Sequence, residues 1–297
     1  MPLCTGPGWT MAERGAVSQR KRSPRVCSAS GPSVQARVNA LRAVELDGSL
    51  AEGHLALAWV RGWFDWDWEG ADRELQRAME LRPNEPTVHF RKGSLACDLG
   101  RFDEALEELR KAQVLDPVSP IIPTLIGETY RRSGRPDLAI EELRKAEAMD
   151  PEFGPPHYKL GEAYEEKGMY EAAMAEFVKC MAAFGYHDAE KSLRRALEKE
   201  GPMGAYRAFL MMDVGSPETS AYRMAQTYEV LGQRDQALAA LEKGLELRTA
   251  GIYAIAAEPA FANLRGERRF QNLLRRMNLP RQDRDGVARI ASGLRVE

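Results

Sequence analysis

A chain of 297 residues with 42 basic against 44 acidic side chains has a formal net charge of -2, which leaves no electrostatic case for nucleic acid as a main partner. No apolar run approaches the roughly 18 residues that a membrane span needs, and Met1 to Ser33 has basic residues but no apolar stretch of the secretory type. The expectation is a soluble, cytoplasmic protein. Cys4, Cys27, Cys97 and Cys180 are scattered without a Cys-x-x-Cys spacing, so they are expected to be reduced and structurally incidental, with neither a zinc site nor a disulfide framework.

Residues 1–33 are rich in Pro, Gly, Ser and Arg, show no helical apolar period and are expected to be a disordered leader. Their basic cluster, Arg20, Lys21 and Arg22, reads as a solvated tail rather than a nucleic-acid or membrane contact. From Val34 to Leu46, Ala36, Ala40 and Ala43 fall where the second helix of a helical pair would place them, so an array begins here half a unit in. The next unit, Ala51 to Asn84, carries Leu55, Leu57 and Ala58 in a first helix and Ala71, Leu75, Ala78 and Pro83 in and after a second. It is one residue longer than those that follow, and the excess is placed in the turn Trp63, Phe64, Asp65, Trp66, Asp67, Trp68. Tryptophans this dense could form a stacking platform for single-stranded nucleic acid or sugars. Aspartates beside a helix start are good caps, however, and the rings are expected to pack into the neighbouring helix pair.

Between Pro86 and Gly185 the chain repeats every 34 residues: Gly93, Gly127 and Gly161; Ala105, Ala139 and Ala173; Leu109, Leu143 and Phe177; Ala112, Ala146 and Cys180; Pro117 and Pro151. A helical period of this length marks a solenoid, in which each helix pair buries its apolar face only by stacking on its neighbours. Gly127, Tyr130, Ala139, Leu143, Ala146 and Pro151, repeated as Gly161, Tyr164, Ala173 and Phe177, resemble the tetratricopeptide repeat (TPR). The resemblance implies an all-α, TPR-type α-solenoid, a right-handed superhelix of antiparallel helix pairs whose first helices line a concave face. It implies binding of proteins rather than catalysis.

After residue 185 the register slips. Leu193, Ala196 and Leu197 suggest one helix, Gly201 and Pro202 break it, and Tyr206, Phe209 and Leu210 suggest another, making 186–216 a degenerate unit. The period returns over 217–249 with Ala225, Tyr228, Gly232, Ala237, Leu241 and Gly244. In 250–280, Phe261, Leu264, Phe270, Leu273 and Met277 are expected to cap the open end of the array, and 281–297 reads as a disordered tail. The domain reading is therefore a half repeat plus four repeats over 34–185, then these three units and the tail. The tryptophan turn with Glu69, Gly70 and Ala71 resembles one in bacterial arrays joined to winged-helix transcription regulators and serine/threonine kinases. So does the terminal series Glu258, Pro259, Phe261, Leu264, Arg269, Phe270, Leu273, Leu274, Met277 and Leu279. No winged-helix, kinase or cyclase domain fits before Val34, so the resemblance implies a regulatory portion without its effector.

Chemistry is sparse. His54, His89 and His157 share the fourth position of their repeats, which explains their spacing and gives no common metal sphere. No Walker, nucleophile-elbow, zincin or dinucleotide motif occurs, and Glu107 with Lys111 and Glu141 with Lys145 are spaced for solvated helix faces. No catalytic residue, cofactor or metal is assigned, and the protein is not expected to be an enzyme.

Repeat positions 2, 5, 9 and 12 fall on one face of each first helix, the face that the resemblance makes concave. From them the candidate ligand groove comprises Phe90, Ser94, Thr124, Glu128, Arg131, Tyr158, Glu162 and Glu165. The surplus of acids suggests a partner segment with Lys or Arg beside an apolar anchor. The expected function is a scaffold that binds a peptide or protein in this groove. The alternative is a sensor fragment of a bacterial transcription regulator or protein kinase.

Overall fold

The computed structural model describes residues 32–212 and 217–279; the expected leader, except its last two residues, and the expected tail lie outside them. Fourteen-residue helices alternate with slightly shorter ones. After α1 (Pro32–Leu46) the pairs are α2 (Ala51–Trp59) with α3 (Trp68–Leu81), α4 (Pro86–Asp98) with α5 (Phe102–Leu115), α6 (Ile121–Arg132) with α7 (Pro136–Met149), and α8 (Gly154–Glu166) with α9 (Tyr170–Ala183). There follow α10 (His187–Met211), bent at Gly201 where φ is 68° and ψ -171°, and the pair α11 (Pro217–Val230) with α12 (Arg234–Leu247). Two 3-10 turns, Ile252–Ala254 and Pro259–Leu264, lead to α13 (Arg268–Arg276). The architecture is the right-handed α-solenoid.

The period in the sequence is a period of contacts. Gly127 lies so close to the next helix that a Cβ there would come within 2.6 Å of Leu143 Cγ and 3.1 Å of the Ala139 carbonyl. Ala139, Leu143 and Ala146 are all fully buried. Burying a leucine contributes about 1.5–3 kcal/mol, so each pair is held by a few such side chains around a glycine that lets the backbones approach. The turn inside the pair is a Schellman motif: Gly134 takes φ 75°, Arg135 N–H donates to Tyr130 O at 2.9 Å and Gly134 N–H to Arg131 O at 2.9 Å. Pro136 then starts the next helix at a position where its missing N–H costs nothing.

The extra residue of the first full unit is absorbed as a π-helical turn, Val60–Phe64, in which Asp65 N–H reaches Val60 O at 3.0 Å. Asp67 caps the next helix by accepting from Gly70 N–H at 2.9 Å. Trp63 and Trp68 are buried, as packing requires, but their partners are not only next door. Trp63 Nε1 donates to Asp98 of the following pair at 2.8 Å and packs edge-on against Tyr253 with ring centroids 6.3 Å apart. Trp68 Nε1 donates to the Met277 carbonyl at 2.9 Å. Arg248 lies over the Trp66 ring at 4.3 Å and donates to Phe64 O, while Asn278 Nδ2 donates to Trp66 O at 3.4 Å.

The terminal segment therefore does more than cap the last pair. It crosses the concave side and joins the far end of the array to the first full unit, so that Trp63, Trp68, Leu75 and Leu95 share one apolar core with Tyr222, Ile255, Phe261, Phe270 and Met277.

Candidate functional site

The inner faces of α4, α6 and α8 meet α11 and the Gly251–Leu279 segment in a buried ionic network. The helical spacing brings it about: Glu128, Arg131 and Arg132 fall on one side of α6, and Tyr158, Lys159, Glu162 and Glu165 on the facing side of α8. Arg131, 1% exposed, grips Glu258 with both ends of its guanidinium, Nη1 to Oε1 and Nη2 to Oε2, each at 2.7 Å. It also donates to Glu128 through Nε at 2.8 Å and Nη2 at 2.9 Å, and to Glu166. Tyr222 of α11 donates its hydroxyl to Glu258 Oε2 at 2.7 Å. Arg132 pairs with Asp98 at 2.8 Å and Glu128 at 2.7 Å. Lys159 donates to Glu128 at 3.0 Å and Glu162 at 2.7 Å, and Gln226 closes Glu162 from α11 at 2.7 Å. Arg223, also on α11, holds Glu165 at 2.6 and 3.0 Å and lies 4.1 Å from the Phe177 ring centroid.

Six carboxyls thus crowd around Arg131, Arg132, Lys159 and Arg223, and the crowding shifts their titration in opposite directions. Burial pushes the Glu166 carboxyl up to about 8, because the pull of Arg131 is already shared with Glu258 and Glu128, whose negative charges oppose it. Burial also raises Asp98 against Arg132. At Glu258 burial acts in the same direction, but Arg131 and Arg132 outweigh it and pull the carboxyl down to about 2. Glu128 is likewise raised by burial and drawn well below the usual carboxylate range by Arg131, Lys159 and Arg132.

Of the eight groove residues read from the sequence, Thr124, Glu128, Arg131, Tyr158 and Glu162 are buried, the Glu165 side chain is 9% exposed, and Phe90 and Ser94 are half-buried. The expected surplus of acids for a Lys- or Arg-bearing partner is absent as a free surface, because Lys159 and Arg223 lie outside the four counted positions and neutralise those acids from within. Lys159, Glu166, Tyr222, Arg223, Gln226 and Glu258 escaped the sequence reading as site residues. Only Glu258 had a local signal, a carboxylate following the apolar run Ile252 to Ala257.

The histidines are structural. In each repeat Nδ1 meets a carboxylate of the second helix and Nε2 a loop carbonyl: His54 with Glu74 and Gly48, His89 with Glu108 and Pro83, His157 with Glu176 and Pro151. The oxygens of Glu147 and Glu176 beside His157 come close enough together for a metal. Arg144 and Lys179 already bond both of them, and the two His157 nitrogens are engaged, so the cluster is an ion-pair network. Cys97 and Cys180 are buried and outside any disulfide, the Cys97 thiol pushed up to about 11 by burial. On the outer helices Lys111 pairs with Glu107 as spaced, whereas Lys145 takes Glu142 instead of Glu141.

A right-handed stack of helix pairs with this contact period defines a TPR solenoid. Family models described as tetratricopeptide repeat match residues 67–120, 155–183 and 219–250, and one described as TPR repeat matches 127–168; the chain carries tetratricopeptide repeats. No curated protein matches the chain. Similar solved structures include TTC0263, a TPR protein of Thermus thermophilus, at 20% identity and a TM-score of 0.46 over 71% of this chain and 99% of that one. Pseudomonas aeruginosa pilF gives 18%, 0.43, 75% and 87%, and YrrB, described as a TPR protein with an unusual peptide-binding site, gives 17%, 0.40, 73% and 96%.

Proposed function

We propose that the protein is a non-catalytic protein–protein interaction scaffold of the bacterial cytoplasm. It acts without a cofactor and with neither nucleic acid nor membrane as its direct partner. The observation behind this reading is the inner face itself, where buried charged groups pair with one another across stacked helix pairs, as at Arg131 between Glu128 and Glu258. Such an arrangement rigidifies a frame on which a partner can dock. The concave residues divide into two groups. Phe90 and Ser94 are half-buried and reachable by a peptide as the chain stands; the other six are buried or nearly so, Arg131 beneath Glu258 of the terminal segment and Tyr158, Glu162 and Glu165 beneath Gln226 and Arg223 of α11. Affinity pulldown with mass spectrometry on the full chain and on Ser94→Arg tests the reading: the variant should lose its partner, and an unchanged catch moves the interface off the concave face.

A second reading, a regulatory portion of a transcription regulator or protein kinase, is favoured by one contact. The two stretches that resemble such arrays, the tryptophan turn and the Glu258–Leu279 series, pack directly on each other through Trp68 and Met277. Recovery of a DNA-binding or kinase module in the same pulldown would support it, and recovery of unrelated proteins alone would refute it.

A further inference from the structure

On the outer side of the array, two arginines lack the carboxylates that their counterparts one repeat away possess. Arg144 of α7 contacts Tyr164 OH at 3.1 Å and is held by Glu147 and by Glu176, the latter at 3.0 Å. Its counterpart 34 residues earlier is Arg110 of α5, which makes the same contact, Nη2 to Tyr130 OH at 2.8 Å. Gln113 stands where Glu147 would be, and Glu142, the counterpart of Glu176, pairs with Lys145 and not with Arg110. Arg135 shows the same loss when set beside Arg101, 34 residues earlier. Arg101 pairs with Asp72 at 3.4 Å and Glu104 at 3.2 Å, whereas Arg135 has Leu106 and Leu138 at those places. Arg135 lies over the same Tyr130 ring, 4.9 Å from its centroid.

Two guanidinium groups with no carboxylate in ion-pair distance among the described residues therefore converge on one tyrosine. They do so in an open depression of about 890 Å³ that Leu106 and Val114 also line, Val114 being 81% exposed. Glu107 on the same face is occupied by Lys111 at 2.7 Å, and Asp103 contributes the remaining acid.

We propose that this depression docks a partner protein through a segment carrying a glutamate or aspartate beside an apolar or aromatic side chain. The carboxylate would take on Arg110 and Arg135 the place that Glu147 and Glu104 take on Arg144 and Arg101, and the apolar neighbour would cover Val114. Planar guanidinium recognition of carboxylate favours an acid over a neutral amide, and an exposed Val114 supplies the apolar contact. This goes beyond the concave-face reading and shares with it only that the partner is a protein.

The test is fluorescence anisotropy on the full chain. The probes are a fluorescein-labelled nonapeptide with two glutamates flanking one phenylalanine and its counterpart with two glutamines. The glutamate peptide should bind saturably and the glutamine peptide about 5-fold more weakly, the scale of exposed ion pairs. Two variants copy residues the repeats already use. Gln113→Glu restores the missing internal carboxylate and Arg135→Met copies Met169; each should weaken the glutamate peptide by about 5-fold while the helical melt is retained. Equal binding of the two peptides, no binding to the wild type, or undiminished binding to both variants would overturn the proposal. A pulldown that fails for the concave face leaves these titrations unaffected, so the two readings fail separately.

Discussion

Glu258→Gln isolates the closure of the array. Glu258 is fully buried, bonded at 2.7 Å to each end of Arg131 and at 2.7 Å to Tyr222 OH. The amide keeps the shape but turns one acceptor into a donor that faces a guanidinium donor. Breaking a buried pair by removing one partner costs about 3–5 kcal/mol. Arg131 keeps Glu128 and Glu166, which places the loss at the lower end, about 3 kcal/mol. At about 2–4 °C per kcal/mol for chains of comparable size, the melting midpoint should fall by about 6–12 °C. Trp59, Trp63, Trp66 and Trp68 all lie at or beside the seam, so tryptophan fluorescence in a urea titration reports closure and far-UV circular dichroism reports the helices. The two signals should coincide in the wild type, and fluorescence should change first in the variant. The pH dependence provides a second check. A carboxyl at about 2 when folded and 4.5 when unfolded adds stability above pH 4.5 that disappears as pH falls toward 2. The variant should show a shallower acid loss, with Glu128 keeping part of it. Unchanged midpoint and coincident signals in Glu258→Gln would refute the view that this contact closes the array.

Ala139→Glu should cost several kcal/mol, about the price of burying an unpaired charge in a filled helix contact, and an unshifted thermal melt would contradict the register. Gly127→Ala forces a methyl to within 2.6 Å of Leu143 Cγ and should lose about 1–3 kcal/mol by urea titration; Gly100→Ala, which must hold a φ of 77°, should lose about 1 kcal/mol. Burial lowers the His157 pKa, but the Glu176 hydrogen bond outweighs it and raises it. Its stabilisation is therefore complete below pH 6.5 and is lost as pH rises through the folded value, a slope absent from His157→Gln in urea titrations across pH 6–9. Glu166 is raised to about 8, so stability falls as pH climbs from 4.5 to 8, and Glu166→Gln should flatten that window.

The helix pairs were legible because their determinants are local. Gly127 meeting Leu143, or Gly134 turning the chain, needs only residues within one period, and the 34-residue register states those contacts directly. The bend at Gly201 and Pro202 was legible for the same reason. Closure was not, because the pairing of Arg131 with Glu258 spans 127 residues and depends on the rotation accumulated over several repeats, which no single period encodes. The free-groove reading failed to anticipate Lys159 and Arg223 for a related reason. Position counting assigns one face to each helix, whereas α11 supplies a second wall that only the superhelix brings opposite. The π-helical turn at Val60–Phe64 shows a smaller gap: the added residue was visible, its backbone solution was not.

A buried ionic seam needs a reason, since well-packed apolar residues could hold the same surfaces at equal or lower cost. The repeats themselves suggest one. A solenoid offers nearly identical inner faces at intervals of one helix pair, so a terminal segment held by apolar contacts alone could settle one repeat too early or too late. The places equivalent to Arg131 and Arg132 are Cys97 and Asp98 on α4, and Glu165 and Glu166 on α8. Shifted toward α8, Glu258 would face two carboxyls; shifted toward α4, it would face a thiol and an acid. Of these three equivalent places, α6 alone presents adjacent arginines, and there Tyr222 completes the cage from the opposite wall. The penalty for like charges confined away from water exceeds any gain from sliding the apolar residues. On this argument Arg131, Arg132 and Glu258 set where the array closes, while Phe261, Phe270, Leu273 and Met277 provide most of the energy with which it stays closed.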